Sequence, residues 1–163
     1  MECEADLLAL LRGLDGPEWL EWPPDDDRRR TGAKFGGLVA RLDGDFATRC
    51  AEARDTQDSP EYGRVTVPAE ATVCGTRIVV CVSKFGSLAL VCADNPGAFL
   101  DTAEAQAEGE LDAADLAKVR RALADLAYTT VPEELLERDY DGPGRPARGL
   151  QRPSWWDRFF GVF

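Results

Sequence analysis

Residues 76–93 read TRIVVCVSKFGSLALVCA, a run in which apolar residues follow one another with almost no break. Segments 78–82 and 88–92 flank Ser83-Lys84-Phe85-Gly86-Ser87, a tight connection whose glycine suits a positive φ. This pattern predicts a β-hairpin. Side chains alternate along a strand, so Ile78, Val80 and Val82 share one face while Val79 and Cys81 take the other. Leu88, Leu90 and Cys92 against Ala89 and Val91 repeat the arrangement. A hairpin that is apolar on both sides must be covered on both sides, by helices, a second sheet or a partner chain.

The flanking sequence predicts an α+β domain. Leu7, Leu8, Leu11 and Leu14 have helical spacing over residues 5–14, with Gly13 and Gly16 as stop signals. Prolines 17, 23 and 24 break residues 15–37 into a loop. Leu38, Leu42, Phe46, Cys50 and Ala53 predict a second helix over 38–54, although Gly44 inside it costs about 1 kcal/mol relative to alanine. Residues 62–67 open the sheet, ended by Pro68, and the order 62–67, 76–83, 87–93 reads as an antiparallel meander of three or four strands. The acidic stretch 101–110 reads as an exposed loop. Asp112 then caps a long helix over 113–127, with Leu116, Val119, Leu123 and Leu126 on one face. Residues 128–131 suggest a short closing strand, and Pro132 opens a helical turn.

The expected organisation is one domain over 1–141, a Pro/Gly/Arg linker over 142–153, and an aromatic segment over 154–163, SWWDRFFGVF. A free aromatic tail promotes aggregation, so this one is expected to dock on the domain, held by nearby arginines. The expected architecture is thus an N-terminal helical pair, the meander, one long C-terminal helix and a docked aromatic tail.

Charge and composition prune the functions. The chain has 163 residues and a net charge of −11, against the basic stripe that nucleic-acid binding needs. Residues 1–6 are acidic where a secretory leader is basic, and no window reaches the ~18 apolar residues of a membrane span, so the cytoplasm is expected and no membrane partner. Its five cysteines are irregularly spaced and it has no histidine, which disfavours a zinc site and removes Ser-His-Asp, Cys-His and other imidazole chemistry. Reduced, buried thiols are the expectation. No phosphate-cradling glycine loop occurs, and adjacency alone does not make Ser83 and Lys84 a dyad. No catalytic residue, metal site or cofactor is assigned, and the chain reads as a non-enzyme.

A contact patch remains. Trp19 and Trp22 precede Asp25, Asp26 and Asp27, which run directly into Arg28, Arg29 and Arg30. Tryptophan is enriched at binding hot spots, and a carboxylate cluster beside it selects a basic surface. The alternative is a surface loop whose tryptophans fold back on the core. Adjacent aspartates do not converge on one ion, which argues against Mg²⁺. Residues 101–110 form a second candidate surface.

Three segments, 83–91 (SKFGSLALV), 128–142 (YTTVPEELLERDYDG) and 155–160 (WWDRFF), resemble small actinobacterial proteins. An arginine-, alanine- and aspartate-rich composition suits a GC-rich bacterial genome. Acidic α+β proteins of this kind resemble the immunity proteins of polymorphic toxin systems. The resemblance implies an inhibitor that neutralises a basic toxin domain by protein–protein contact, and it assigns no site residues. The alternative is a structural protein acting as a homodimer through the hairpin or the tail.

Overall fold

The structure is a computed structural model that describes residues 3–54, 56–145 and 152–161. Its first half comprises helices α1 (Glu4–Leu14) and α2 (Arg28–Asp45), strands β1 (Ala51–Arg54) and β2 (Glu61–Val67), and a 3-10 turn at Ala69–Ala71. Strands β3 (Ile78–Ser83) and β4 (Leu88–Ala93) follow, then α3 (Thr102–Ala107), α4 (Ala113–Asp125), β5 (Thr129–Thr130), α5 (Glu133–Leu136) and α6 (Trp155–Phe159). The fold is mixed α+β around one five-stranded sheet in the order β1-β2-β3-β4-β5.

The hairpin is its centre. Val80 lies opposite Val91 and Cys81 opposite Leu90, and every residue of β3 and β4 is buried. Each face meets its own layer. Ile78, Val80, Val82, Ala89, Val91 and Ala93 pack with Phe35, Leu38 and Leu42 of α2 and with Leu116, Val119 and Leu123 of α4. On the reverse, Val79, Cys81, Leu88, Leu90 and Cys92 pack with Leu7 and Leu11 of α1, Leu135 and Leu136 of α5, and Trp155 and Phe159 of α6. A sheet between two helical layers is what a doubly apolar ribbon requires. All the cover comes from this chain.

Two glycines are set by close approach. Gly86 has φ +57 and stands where a Cβ would lie 2.3 Å from a Leu14 methyl group, so it lets α1 close over the hairpin tip. Gly63 lies at the register shift between β2 and β3, where a Cβ would come within 2.3 Å of the Ala53 carbonyl oxygen and 3.1 Å of the Phe35 ring.

The structure corrects several local expectations. Beyond the antiparallel run β1 to β4, a fifth strand adds parallel, with Leu88 beside Thr129, because the intervening α3 and α4 carry the chain across the sheet face. The long helix α4 is not the last, since β5, α5 and α6 come after it. The expected N-terminal helical pair is split by the sheet, α1 on one face and α2 on the other. The helix expected over 38–54 is α2, which begins at Arg28 inside the expected loop and stops at Asp45. Ala47 turns the chain with φ +48, and Asp43 Oδ1 accepts the Cys50 N–H at 2.7 Å. Residues 51–54 then run back as β1. Asp101 caps α3 where a loop was expected, accepting the Glu104 N–H at 2.7 Å.

At the other end, Ser154 and Asp157 form a reciprocal capping box that starts α6. The Trp155 N–H donates to the Arg138 carbonyl at 3.1 Å, the Tyr140 N–H to that of Pro153 at 2.8 Å, and the Ser83 hydroxyl to that of Phe159 at 2.8 Å. Trp155, Phe159 and Phe160 are buried. Of the expected linker over 142–153, residues 146–151 lie outside the described residues, as do 162 and 163 of the tail.

Candidate functional site at the hairpin tip

The acidic stretch ahead of α2 folds against the tip of the β3–β4 hairpin. Asp27 is the N-cap of α2, its Oδ1 accepting the Arg30 N–H at 3.0 Å. A capping carboxylate satisfies a free N–H and meets the positive end of the helix. The first turn itself holds no acidic residue, only arginines, so the carboxylates before it offset an arrangement the helix dipole disfavours. Asp26 accepts the Thr31 hydroxyl through Oδ1 at 3.3 Å, while its Oδ2 is buried without a partner among the described residues. Burial, with the Asp27 and Asp25 carboxylates adding to it, holds Asp26 above the usual carboxylate range; Thr31 and Arg28 pull the other way. Asp25 is exposed.

The two tryptophans turn inward. Trp19 meets the Tyr140 ring edge-on at 4.9 Å and has the Arg158 guanidinium 5.2 Å away; its Nε1 is buried without a hydrogen-bond partner among the described residues. Trp22 carries Arg28 at 4.5 Å and the Lys84 ammonium at 4.6 Å over its ring, and meets Tyr62 edge-on. Both are half-buried against their own chain. Of the five residues expected to meet a partner, Asp25 and Asp27 face outward most fully.

Lys84 was not singled out by sequence as part of this region. Its side chain is fully buried, and Nζ donates to Glu21 Oε1 at 2.6 Å and to the Thr56 carbonyl at 2.7 Å. The ammonium in turn holds the Glu21 carboxyl below its ordinary range. Lys84 therefore ties the tryptophan loop to the hairpin. Asp25, Asp26 and Asp27 line a hollow of about 440 Å³ together with Lys84, Phe85 and Gly86. The signal available in sequence was an Asp followed by Phe35, Leu38, Val39 and Leu42 at helical spacing; Gly32, Gly36 and Gly37 masked the helix start.

Among the described residues, no group of three or more Cys, Asp or Glu side chains is placed to hold a metal ion. No described helix is long and apolar enough to cross a membrane. Fold and site together define an acidic α+β protein whose apolar sheet is covered within one copy and whose charged loop borders the hairpin tip. Compared with known protein families, curated proteins and solved structures, the chain matches none.

Proposed function

We propose that this protein is a non-catalytic, immunity-type inhibitor that neutralises a basic toxin domain by protein–protein contact. The observation that carries this reading is the contrast between interior and exterior. The apolar ribbon and the aromatic residues of α6 are consumed by internal packing, and Val73 and Leu100 are the large apolar side chains left exposed among the described residues. The chain carries a net charge of −11, and among the described residues only Glu61, Lys84, Asp115, Glu133 and Arg158 of its charged residues are buried, along with the side chain of Asp15. Such a surface captures a basic partner by electrostatic steering, with a rate that falls as salt rises. Trp19, Trp22, Asp25, Asp26 and Asp27 form the contact region, with the outward carboxylates of Asp25 and Asp27 at its front. The alternative of a homodimer joined through the ribbon or tail loses support, because the ribbon and Trp155, Phe159 and Phe160 of the tail are buried within one subunit.

The deciding experiment is co-expression with a basic toxin domain, sought first among the neighbouring genes, followed by stopped-flow association of the purified pair. Rescue of growth, with an association rate that drops steeply with added salt and with D25N/D26N/D27N, supports the reading. Asparagine retains the helix cap, so the triple variant isolates charge. No rescue and no complex at micromolar concentrations would overturn it.

A further inference from the structure

A depression of about 540 Å³ opens beside the hairpin tip, between the first turns of α2, the tip itself and the residues that end α4. Its sign is the reverse of the protein's. In a chain of net charge −11, its lining carries Arg30, Lys34 and Lys84 and no carboxylate.

Two of these cations have no ion-pair partner among the described residues. Lys84 is held by Glu21. Among the described residues Lys34 donates only to neutral acceptors, Ser87 Oγ at 2.7 Å and the Ala127 carbonyl at 3.0 Å, and its Nζ lies 4.4 Å from the centre of the Tyr128 ring. Burial lowers the Lys34 pKa and Arg30 lowers it further, the mark of a cation lacking a countercharge. Arg30 is exposed at the rim, in a helical first turn whose dipole has the same sign. Ser87, held at φ +53, accepts from Lys34 and keeps its own hydroxyl proton to donate. Leu126 and the Tyr128 ring supply apolar walls.

We propose that this cleft binds a small organic oxyanion, a carboxylate or phosphate monoester carried on a planar apolar group. Arg30 and Lys34 take the charge and the Ser87 hydroxyl donates to an oxygen. The planar body lies against Tyr128 and Leu126. Charge-assisted hydrogen bonds beside an apolar wall are what such a ligand needs. The cleft shares Arg30, Thr31, Lys84 and Ser87 with the hollow lined by Asp25, Asp26 and Asp27, so a docked toxin and the ligand would meet at one rim. Titration of the free chain tests the cleft apart from the inhibitor reading.

The test is ligand titration of the ¹⁵N-labelled full chain with phenyl phosphate, benzoate, inorganic phosphate and benzyl alcohol. Phenyl phosphate or benzoate is expected to give saturable shifts at residues around Ser87 and Tyr128, with a Kd of about 1 mM or tighter. Whichever of the two binds more tightly identifies the headgroup. Arg30→Gln should weaken binding about tenfold, and Arg29→Gln, which removes the same charge from outside the cleft, should leave it unchanged. Lys34→Met should weaken it at least as much; because Lys34 also braces the end of α4, Arg30→Gln carries the decision if that variant misfolds. Absence of saturation by about 20 mM would overturn the proposal, as would equal loss in Arg29→Gln or equal affinity for benzyl alcohol.

Discussion

Arg158 donates its Nε–H to Asp15 Oδ1 at 2.7 Å, with the two side chains 1% and 0% exposed. They stand 143 positions apart. Arg158 also donates to the Leu20 carbonyl at 3.1 Å and lies 4.5 Å from the Phe85 ring, while the Tyr140 hydroxyl donates to the other Asp15 oxygen. One ion pair thus joins the end of α1, the tryptophan loop, the hairpin tip and the tail.

Breaking that pair from one side strands a buried charge. Asp15→Ala should therefore destabilise by about 3–5 kcal/mol. Urea unfolding followed by tryptophan fluorescence measures it, and a loss below about 1 kcal/mol would mean that the tail does not depend on the pair.

Cover on both faces of the sheet makes neighbouring residues equally intolerant of charge. Val80 and Cys81 are each 0% exposed and point into different cores. Val80→Asp and Cys81→Asp should each abolish cooperative folding: the first strands a buried carboxylate, and the second sets one beside the buried Glu61 carboxyl, with Arg64 across from it already paired to Glu61. Circular dichroism melts decide this. A folded Cys81→Asp protein would show the α1–α6 face to be open in solution.

Glu133 is buried and accepts the Gly97 N–H. Burial raises its pKa, Glu137 adds to the rise, and the Gly97 N–H opposes it. A carboxyl raised in the folded state contributes stability at low pH and loses it as pH climbs from the unfolded value through the folded one. Glu133→Gln keeps an oxygen for Gly97 and cannot ionise. It should melt higher than the parent at pH 7, and the gain should vanish below about pH 4. An equal gain at both pH values would sink the burial argument.

The thiols divide by exposure. Cys50, Cys81 and Cys92 are buried, whereas Cys3 and Cys74 are exposed. Burial and the Asp43 carboxylate push Cys50 up to about 12. Cys74 is raised by partial desolvation and by Asp112, Asp115 and Glu110. A thiol-reactive chromophore should label two cysteines in the folded protein, with Cys74 slower than an ordinary exposed thiol, and all five after unfolding. Rapid labelling of a third would contradict the burial of Cys50, Cys81 and Cys92.

Much of the fold was readable where local pattern and burial agree. The 3.6-residue spacing of Leu116, Val119 and Leu123, with Asp112 ahead of it, marks α4 directly. The 2-residue alternation of β3 and β4 marks the hairpin and both its cores. Reading failed where two patterns compete. Cys50 falls at the same helical spacing as Leu42 and Phe46, yet it enters the core from the turn that leads into β1. Gly32, Gly36 and Gly37 lower helix propensity, yet α2 passes through them because Phe35, Leu38 and Leu42 are buried. At the candidate site, the acidic loop was legible and its anchor was not. Trp22 meets Lys84 across 62 sequence positions, a relation no local spacing encodes.

What the amino-acid order determined alone is the doubly apolar ribbon, the acidic balance and the absence of imidazole chemistry, because these depend on residue type and on period. Which helix covers which face, that Asp15 receives Arg158, and that Arg30 and Lys34 line a cleft free of carboxylates were decided by tertiary structure. Those relations are set by long-range packing and by charges brought together through space, and neither leaves a trace in neighbouring residues.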